Sequence, residues 1–312
     1  MRAIVTGGAG FIGSHLADYL LEGGGEVLIV DDLSSGRREF VPAGAEFLEM
    51  SLGLDAEPVR ELLRSWKPEV VFHLAAQSSV VRSLDDMSLD LCSNVAATMH
   101  LVLAASSLEL PVVYASTGGA LYGNDAVRPT PESWPANPVS PYGASKYGGE
   151  VYVRMARAQT AVPHSICRFA NVFGPRQSGL GEAGVISIFA EQLLSGQCPV
   201  LYGFGRPTRD YVYVDDIVTG LAAAVGGDDT FNLSCGVETT TNRIFELVDT
   251  ALGTGVEPEL APLRVGEMQV SCMSPDKAWA ELGWRAETDL MTGIELTCQW
   301  VARDRTGRSQ VP

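Results

Sequence analysis

Tyr142 and Lys146 stand four residues apart in the stretch NPVSPYGASKYGGE. That spacing puts both on one face of a helix, one turn apart. A phenol titrates near pH ~10, so only about one molecule in a thousand is ionised at neutral pH. Lowering that pKa by ~3 units needs about 4 kcal/mol of preference for the phenolate. A fixed ammonium one turn away is a direct source of that preference, and a cationic cofactor ring would add more. The pair fits a tyrosine general base tuned by a lysine. Ordinary helices with a solvated Tyr and Lys carry the same spacing, so the rest of the chain has to decide.

The N-terminus supplies a place for a cofactor. Arg2 to Thr6 reads as a short buried strand, and TGGAGFIGSHLADYLLEGG follows it. Gly7, Gly10 and Gly13 are spaced Gly-x-x-Gly-x-x-Gly, and Ile12, Leu16 and Leu20 keep helical period. Strand, glycines, helix and a second strand (Glu26 to Val30) come in the order of a dinucleotide-binding unit. There the glycines allow a tight turn and a close approach to pyrophosphate at the helix N-terminus. Asp31 and Asp32 end the second strand, 18 residues after Gly13. A carboxylate there bonds ribose hydroxyls and repels a 2′-phosphate, which favours NAD over NADP. Arg37 and Arg38, which could hold a 2′-phosphate, are read as a solvated loop pair.

Further along, Val59 to Trp66 reads as a helix and Glu69 to Ala76 as a buried strand. The end of that strand, Ala75-Ala76-Gln77, should face the cofactor, since ligands sit at the carboxyl ends of parallel strands. Asn94 to Leu108 has helical period, and Pro111 to Ala115 is a strand running into Ser116-Thr117-Gly118-Gly119-Ala120-Leu121-Tyr122-Gly123. Those hydroxyls could share a substrate proton or merely satisfy their own turn. Ser165 to Ala170 is a strand, Gly179 to Gly184 a glycine-rich loop, and Val185 to Leu194 a helix. Val200 to Gly205 and Arg209 to Val214 look extended. Asp215 to Val225 and Asn242 to Leu252 look helical, with Thr239 to Thr241 as caps. Strand and then helix character follow in RVGEMQVSCMSPDKAWAELGW, and residues after Ala302 are expected to fray.

The chain has 312 residues, 46% hydrophobic and 19% charged, enough for one large or two joined domains with a sizeable core. A net charge of −16 argues against nucleic acid or an anionic membrane surface as partner. Six cysteines without Cys-x-x-Cys pairs read as reduced thiols of a cytoplasmic protein, and four histidines lack metal-ligand spacing. No signal peptide is expected, and no apolar run of ~18 residues that would span a membrane.

Taken together, TGGAGFIG, Asp31, HLAAQ, YGASK, RFANVFGPRQ, TRDYVYVDDI and DKAWAELGW resemble the extended short-chain dehydrogenase/reductase family. Within it the chain is similar to the nucleotide-sugar 4-epimerases of the UDP-glucose 4-epimerase type. The resemblance runs from about residue 1 to about residue 302. It implies an α/β fold: a Rossmann doubly wound parallel sheet with a smaller, mostly C-terminal substrate-binding domain. The NAD-binding domain would take residues 1–172 with a returning segment about 208–252. Residues 173–207 and 253–312 would bind the nucleotide sugar. A tightly held NAD, a UDP-sugar substrate and a homodimer are implied as well. The resemblance makes Tyr142 the base and Lys146 its partner. Gly7, Gly10 and Gly13 form the pyrophosphate turn, and Asp31 is the ribose acid. Phe11, Ile12, Asp32, Ser34, Ser35, Gly36, Leu52, Leu74, Ala75, Ala76, Gln77, Asn94 and Ala115 join the cofactor site. Ser79, Thr117, Asn171, Val185, Tyr202, Arg209 and Arg264 join the substrate site, the two arginines on the diphosphate.

Two departures stand out. Many family members carry a hydroxyl four residues before the tyrosine of the x-Tyr-Gly ending, and here that position is Gly118. Thr117, supported by Ser116, is expected to take the role, unless proton sharing is weaker here. Where family members carry Gly-Asp-Ile, this chain has Met50-Ser51-Leu52, so Ser51 replaces the acid that bonds adenine. The Ser116 to Gly123 loop also lacks the Asp-Glu pair of the sugar 4,6-dehydratases and the Glu of the decarboxylases. The expected reaction is therefore C4 epimerisation of UDP-glucose/UDP-galactose through a transient 4-keto sugar. UDP-glucuronate is the alternative, with Arg176, Ser178 and the glycine-rich loop near its carboxylate. An NAD-dependent nucleotide-sugar dehydrogenase or reductase, or a non-catalytic binding protein, are the other readings. A dehydrogenase would accumulate NADH, and an epimerase would not.

Overall fold

The computed structural model describes residues 1–53, 55–177, 184–264 and 268–308. Its strands are β1 (Arg2–Thr6), β2 (Glu26–Asp31), β3 (Glu46–Glu49), β4 (Val70–His73), β5 (Val112–Thr117), β6 (Ser165–Phe169), β7 (Asn171–Phe173), β8 (Val200–Tyr202), β9 (Thr208–Tyr213), β10 (Thr230–Leu233), β11 (Glu238–Thr240) and β12 (Glu259–Ala261). The helices are α1 (Phe11–Glu22), α2 (Ala56–Trp66), α3 (Val80–Asp85), α4 (Met87–Asp90), α5 (Ala97–Ser106), α6 (Pro141–Thr160), α7 (Val185–Leu194), α8 (Val214–Ala223), α9 (Thr241–Leu252), α10 (Asp276–Leu282) and α11 (Leu290–Arg308).

Seven strands pair in the order β10-β6-β5-β4-β1-β2-β3, every pair parallel. Runs such as VLIV and VVFH are apolar on both faces because helices cover both sides. One face packs on α1 and α8 through Leu16, Leu20, Ile217 and Leu221. The other packs on α2, α5 and α6 through Val59, Leu63, Leu101 and Val153. This is the Rossmann arrangement, and it gathers the carboxyl ends of β1, β2, β4 and β5 along one edge. A third core joins Phe173, Phe189, Leu193, Leu201, Tyr211, Phe245 and Ile294 from α7, α9, α11 and the short strands. The strands β11-β9-β7 and β12-β8 form the small sheets beside it. β10 lies in the large sheet, whereas α9 lies in the third core.

Several expectations shift. β4 ends at His73 rather than Ala76, because residues 74–77 leave the sheet to be held by other groups. The helix expected from Asn94 begins earlier: α4 continues through a π-helical turn, Leu91–Ala96, into α5. Met87–Ser106 is thus one helical run of 20 residues, long and apolar enough by length and composition to cross a membrane. The absence of such a run was the expectation from the sequence. Asp90, Asn94 and His100 interrupt its apolar string and hide it from a count of consecutive apolar residues. In the fold it packs against α2 and α6. Where fraying was expected after Ala302, α11 continues through Arg308, the last described residue, and Arg305 bonds the carbonyl of Glu191 at 2.8 Å. Ser178 and residues 179–183 of the glycine-rich loop lie outside the described residues. All six cysteines are free thiols.

Candidate active site

A cleft of about 540 Å³ opens along the carboxyl edge of the large sheet. Its lining includes Gly7, Gly10, Phe11, Ile12 and Gly13 after β1, and Asp31, Asp32, Ser34 and Ser35 after β2. Leu52, the Leu74–Gln77 segment, Ser79, Ala115, Ser116, Tyr142 and Lys146 line it as well, whereas the expected Gly36, Asn94 and Thr117 do not. Sequence reasoning missed Arg82, Leu89, Phe169 and Gln177, which also line it. Nothing in their spacing marks them.

The residues present fit NAD. Gly7 has φ +68°, and a Cβ there would meet the backbone N of Ala75 at 2.7 Å. A Cβ at Gly13 would overlap the carbonyl of Gly7. The first turn of α1 has no side-chain cap at Gly10, which leaves its N–H groups for an anion. Asp31 is buried and accepts from the N–H of Ala9 at 3.0 Å and of Leu33 at 2.8 Å. Burial holds its carboxyl above the usual range, against those two bonds. Gly36 approaches the same carboxylate: a Cβ there would be 2.7 Å from Oδ1. Arg37 pairs with Glu39 and Asp304, and Arg38 stacks on Phe47 at 3.9 Å. Arg38 is exposed and Arg37 about one-third exposed, so the pair stays solvated at the surface as read from the sequence, while making these contacts. Neither arginine lines the cleft.

Several residues of YGASKYGGE have a local reason. Ser140 caps α6 by accepting from the N–H of Gly143, and Pro141 opens the first turn. A Cβ at Gly143 would overlap the carbonyl of Ala120, so this glycine lets the Thr117–Ala120 loop close on the helix beside Tyr142. Ser145 donates to the carbonyl of Tyr142 at 2.9 Å and accepts from Asn94 at 2.8 Å. Asn94, placed by the π-helical turn, also accepts from the N–H of Gln77 and donates to its carbonyl. Asn94 therefore shapes the cofactor wall from behind and does not line it. Gly149 makes room for the Tyr114 ring, whose hydroxyl donates to the carbonyl of Lys146 at 3.2 Å. The Lys146 ammonium sits 4.5 Å above that ring.

Thr117 stands close enough to Tyr142 for its hydroxyl to favour the ionised phenol. Ser116 turns the other way and donates to Glu150 at 2.6 Å, so the two candidate hydroxyls separate. The slot that a side chain at Gly118 would take is filled: its Cβ would overlap the Met273 sulfur. Gly118→Ser is accordingly expected to lower stability by about 1–3 kcal/mol, because Met273 must move. It should not raise kcat; a thermal melt beside a kinetic assay checks both, and a faster enzyme would contradict the assignment of Thr117.

The electrostatics differ from the expectation drawn from spacing. Burial pushes the Tyr142 phenol up to about 12, and the Thr117 hydroxyl offsets only part of it. Burial also draws Lys146 down to about 7, against the pull of the Glu150 carboxylate. Asp90, buried with one carboxylate oxygen unbonded, repels a phenolate at Tyr142 as well. Spacing conveys where the ammonium stands, but the loss of water that both groups suffer is visible only in the packed structure.

The expected substrate residues are spread more widely. Asn171 at the start of β7 has its Oδ1 3.6 Å from where a Cβ of Gly119 would stand, so it faces the active-site loop. Arg209 bonds the carbonyls of Thr208 and Met268. Arg264 is exposed and stacks on Tyr202 at 3.6 Å. Val185 begins α7. None of these five lines the cleft among the described residues.

The family model for NAD-dependent epimerases/dehydratases matches residues 3–233. The chain belongs to that family. Among its epimerase/dehydratase relatives, a UDP-glucose 4-epimerase of Mycolicibacterium smegmatis is 44% identical over 309 residues, covering 96% of this chain and 98% of that one. A UDP-glucose 4-epimerase of Thermotoga maritima, solved with UDP-glucose, superposes with a TM-score of 0.94 at 39% identity. The match covers 98% of this chain and 100% of that one. The Thermus thermophilus UDP-glucose 4-epimerase, solved with NAD, gives a TM-score of 0.89 at 40% identity over 97% and 99% of the two chains.

Proposed function

We propose that this family member is an NAD-dependent epimerase acting at C4 of a UDP-hexose, UDP-glucose or UDP-galactose. The observation that carries it is the pairing of Tyr142 and Lys146 on one face of α6, both lining a cleft that fits NAD, with Thr117 close to Tyr142. The loop behind it holds Gly118, Gly119 and Ala120, with no acid for elimination or decarboxylation. The relatives named as UDP-glucose 4-epimerases support the same reading.

Tyr142 takes the proton of the sugar 4-hydroxyl, directly or through Thr117, as C4 becomes a ketone. Bound NAD supplies the acceptor and donor of the C4 hydride. Asn171, Arg209 and Arg264 hold the nucleotide while the 4-keto sugar turns its other face. Tyr142 then returns the proton, so substrate and product have the same oxidation state. The domain division at about residue 172 fits this, with the sugar closed under the C-terminal part. A homodimer in the cytoplasm completes the reading. Exposed Met87, Leu91 and Leu103 beside exposed Val151 on α6 support the dimer, and a monomer mass by light scattering would rule it out.

The test is product analysis with UDP-glucose, UDP-galactose, UDP-glucuronate and UDP-N-acetylglucosamine supplied separately. A C4 epimer of the first two is expected without net NADH. Turnover of UDP-glucuronate alone would move the assignment to that sugar, and steady NADH formation would replace epimerisation by a dehydrogenase.

A further inference from the structure

We propose that Glu150 is the positioning residue of this site, joining the helix that carries Tyr142 and Lys146 to the strand end that carries Thr117. The inference rests on the epimerase reading. Tyr142, Lys146 and Glu150 follow one another at four-residue steps and so share one face of α6. Glu150 is fully buried, and its carboxylate is fully used. Oε1 accepts from Ser116 Oγ at 2.6 Å and from Arg168 Nε at 2.9 Å. Oε2 accepts from Arg168 Nη2 at 2.7 Å and from Arg154 Nη1 at 2.8 Å.

Two features separate this from a plain buried ion pair. A pair with Arg168 alone would need no contact with Ser116. Here the contact lands on Ser116, the residue next to Thr117, whose hydroxyl favours the ionised form of Tyr142. The carboxylate also stands one turn from Lys146 and favours its charged form. Arg168 in turn donates to the Tyr122 hydroxyl at 2.7 Å, and Tyr122 donates to Asn232 in β10 at 2.9 Å. Three adjoining strands of the sheet are thereby tied to one carboxylate under the site.

The groups facing Lys146 and its partner are few. Among the described residues they are Tyr142 and Glu150 on its own helix, Arg154 on the same helix and Arg168 from β6 through Glu150, His73 from β4, Tyr114 from β5, and Asp90 from α4 through Tyr142. Burial keeps His73 and Tyr114 neutral near neutral pH. Glu150 is thus the anion that acts on Lys146. Removing its charge weakens the hold of Lys146 on its proton, so activity lost on deprotonation of Lys146 is lost at lower pH.

The experiment compares the NAD-loaded wild type with Glu150→Gln, Glu150→Asp and Ser116→Ala, reading kcat and KM for UDP-galactose against pH. In Glu150→Gln the alkaline limb of kcat is expected to move acidward by about one pH unit. In Glu150→Asp, which keeps the charge, the limb stays near the wild-type position even with kcat reduced. Ser116→Ala leaves the Glu150–Arg168 pair whole, so it remains folded. It should lose about tenfold in kcat with KM and the pH limb unchanged, as expected for a displaced Thr117. Wild-type kcat in Ser116→Ala, or an unmoved limb in folded Glu150→Gln, overturns the proposal. If Glu150→Gln does not fold, Ser116→Ala alone decides. A wild type that turns over no UDP-sugar overturns the epimerase reading instead, and this inference with it.

Discussion

Tyr142→Phe is expected to lose about a hundred- to ten-thousand-fold in kcat, the range for removing a general acid–base group, while NAD stays bound. The ring still fills its place in the cleft wall, and the Gly7–Gly13 turn and Asp31 do not depend on the phenol. What is lost is the proton acceptor for the sugar 4-hydroxyl, the phenol beside Thr117. The electrostatics sharpen the expectation. With the phenol at about 12, its ionisation near neutral pH is about 7 kcal/mol uphill. A cation in the cleft has to supply that preference. Lys146, drawn to about 7, supplies only part, being about half charged at neutrality. Turnover and NAD content of the purified variant are the two readouts. A near-normal rate in Tyr142→Phe would remove Tyr142 as the base. A low rate with NAD lost would make it a cofactor residue first.

The parts of this site that were legible in the sequence are those set by backbone geometry. The glycine turn after β1 was legible because only glycine tolerates the approach of Ala75 to Gly7 and of Gly7 to Gly13. The α7 boundaries, Val185 and Leu194, could be read because its apolar period is clean. β3 was not, since it is an edge strand with two glutamates among its four residues. Lys146 and Tyr142 were legible as a pair, but their proton affinities were not, because these depend on burial by Tyr114, Thr117 and the sheet. Glu150 was in view as the next residue of the same helical face. Its partners Ser116 and Arg168 lie 34 and 18 residues away, and no local pattern joins them. Met273 at Gly118 is the same case at longer range: the missing hydroxyl looked like a defect until the side chain occupying its space was seen.

Acidification from pH 7.5 to 5.0 is expected to cost the apo fold about 3 kcal/mol, chiefly through two buried histidines. His164 Nδ1 accepts from the N–H of Val112 at 3.1 Å, which leaves the ring proton on Nε2 for the Ser106 hydroxyl at 2.8 Å. A second proton would have to sit on Nδ1, facing another donor. His73 is similarly held between Thr6 at 2.8 Å and Thr98 at 3.1 Å. Burial lowers His73 to about 3 and His164 to about 4, with Lys146 adding to the first and Arg157 to the second. The sign follows: below about 6.5 the unfolded chain takes protons that the folded chain refuses, so stability falls with pH down to the folded values. At pH 5 each histidine costs about 2 kcal/mol. Asp210 works the other way. Burial raises it to about 6 against bonds from Cys235, Met273 and Gly236, so the folded state binds a proton first and recovers about 1.4 kcal/mol at pH 5. Asp31 and Glu132, also raised by burial, act with it. Lys146, drawn down from its usual range to about 7, adds about 0.8 kcal/mol on the side of the histidines, and the balance leaves the bases ahead. For a chain of this length it corresponds to a fall in Tm of about 5 °C. Differential scanning calorimetry at the two pH values measures it. In His164→Asn the acid-side fall should shrink by roughly half of the histidine contribution, wherever the starting Tm lies. A wild-type Tm that holds or rises between pH 7.5 and 5.0 would mean that His73 and His164 accept protons in the folded state after all.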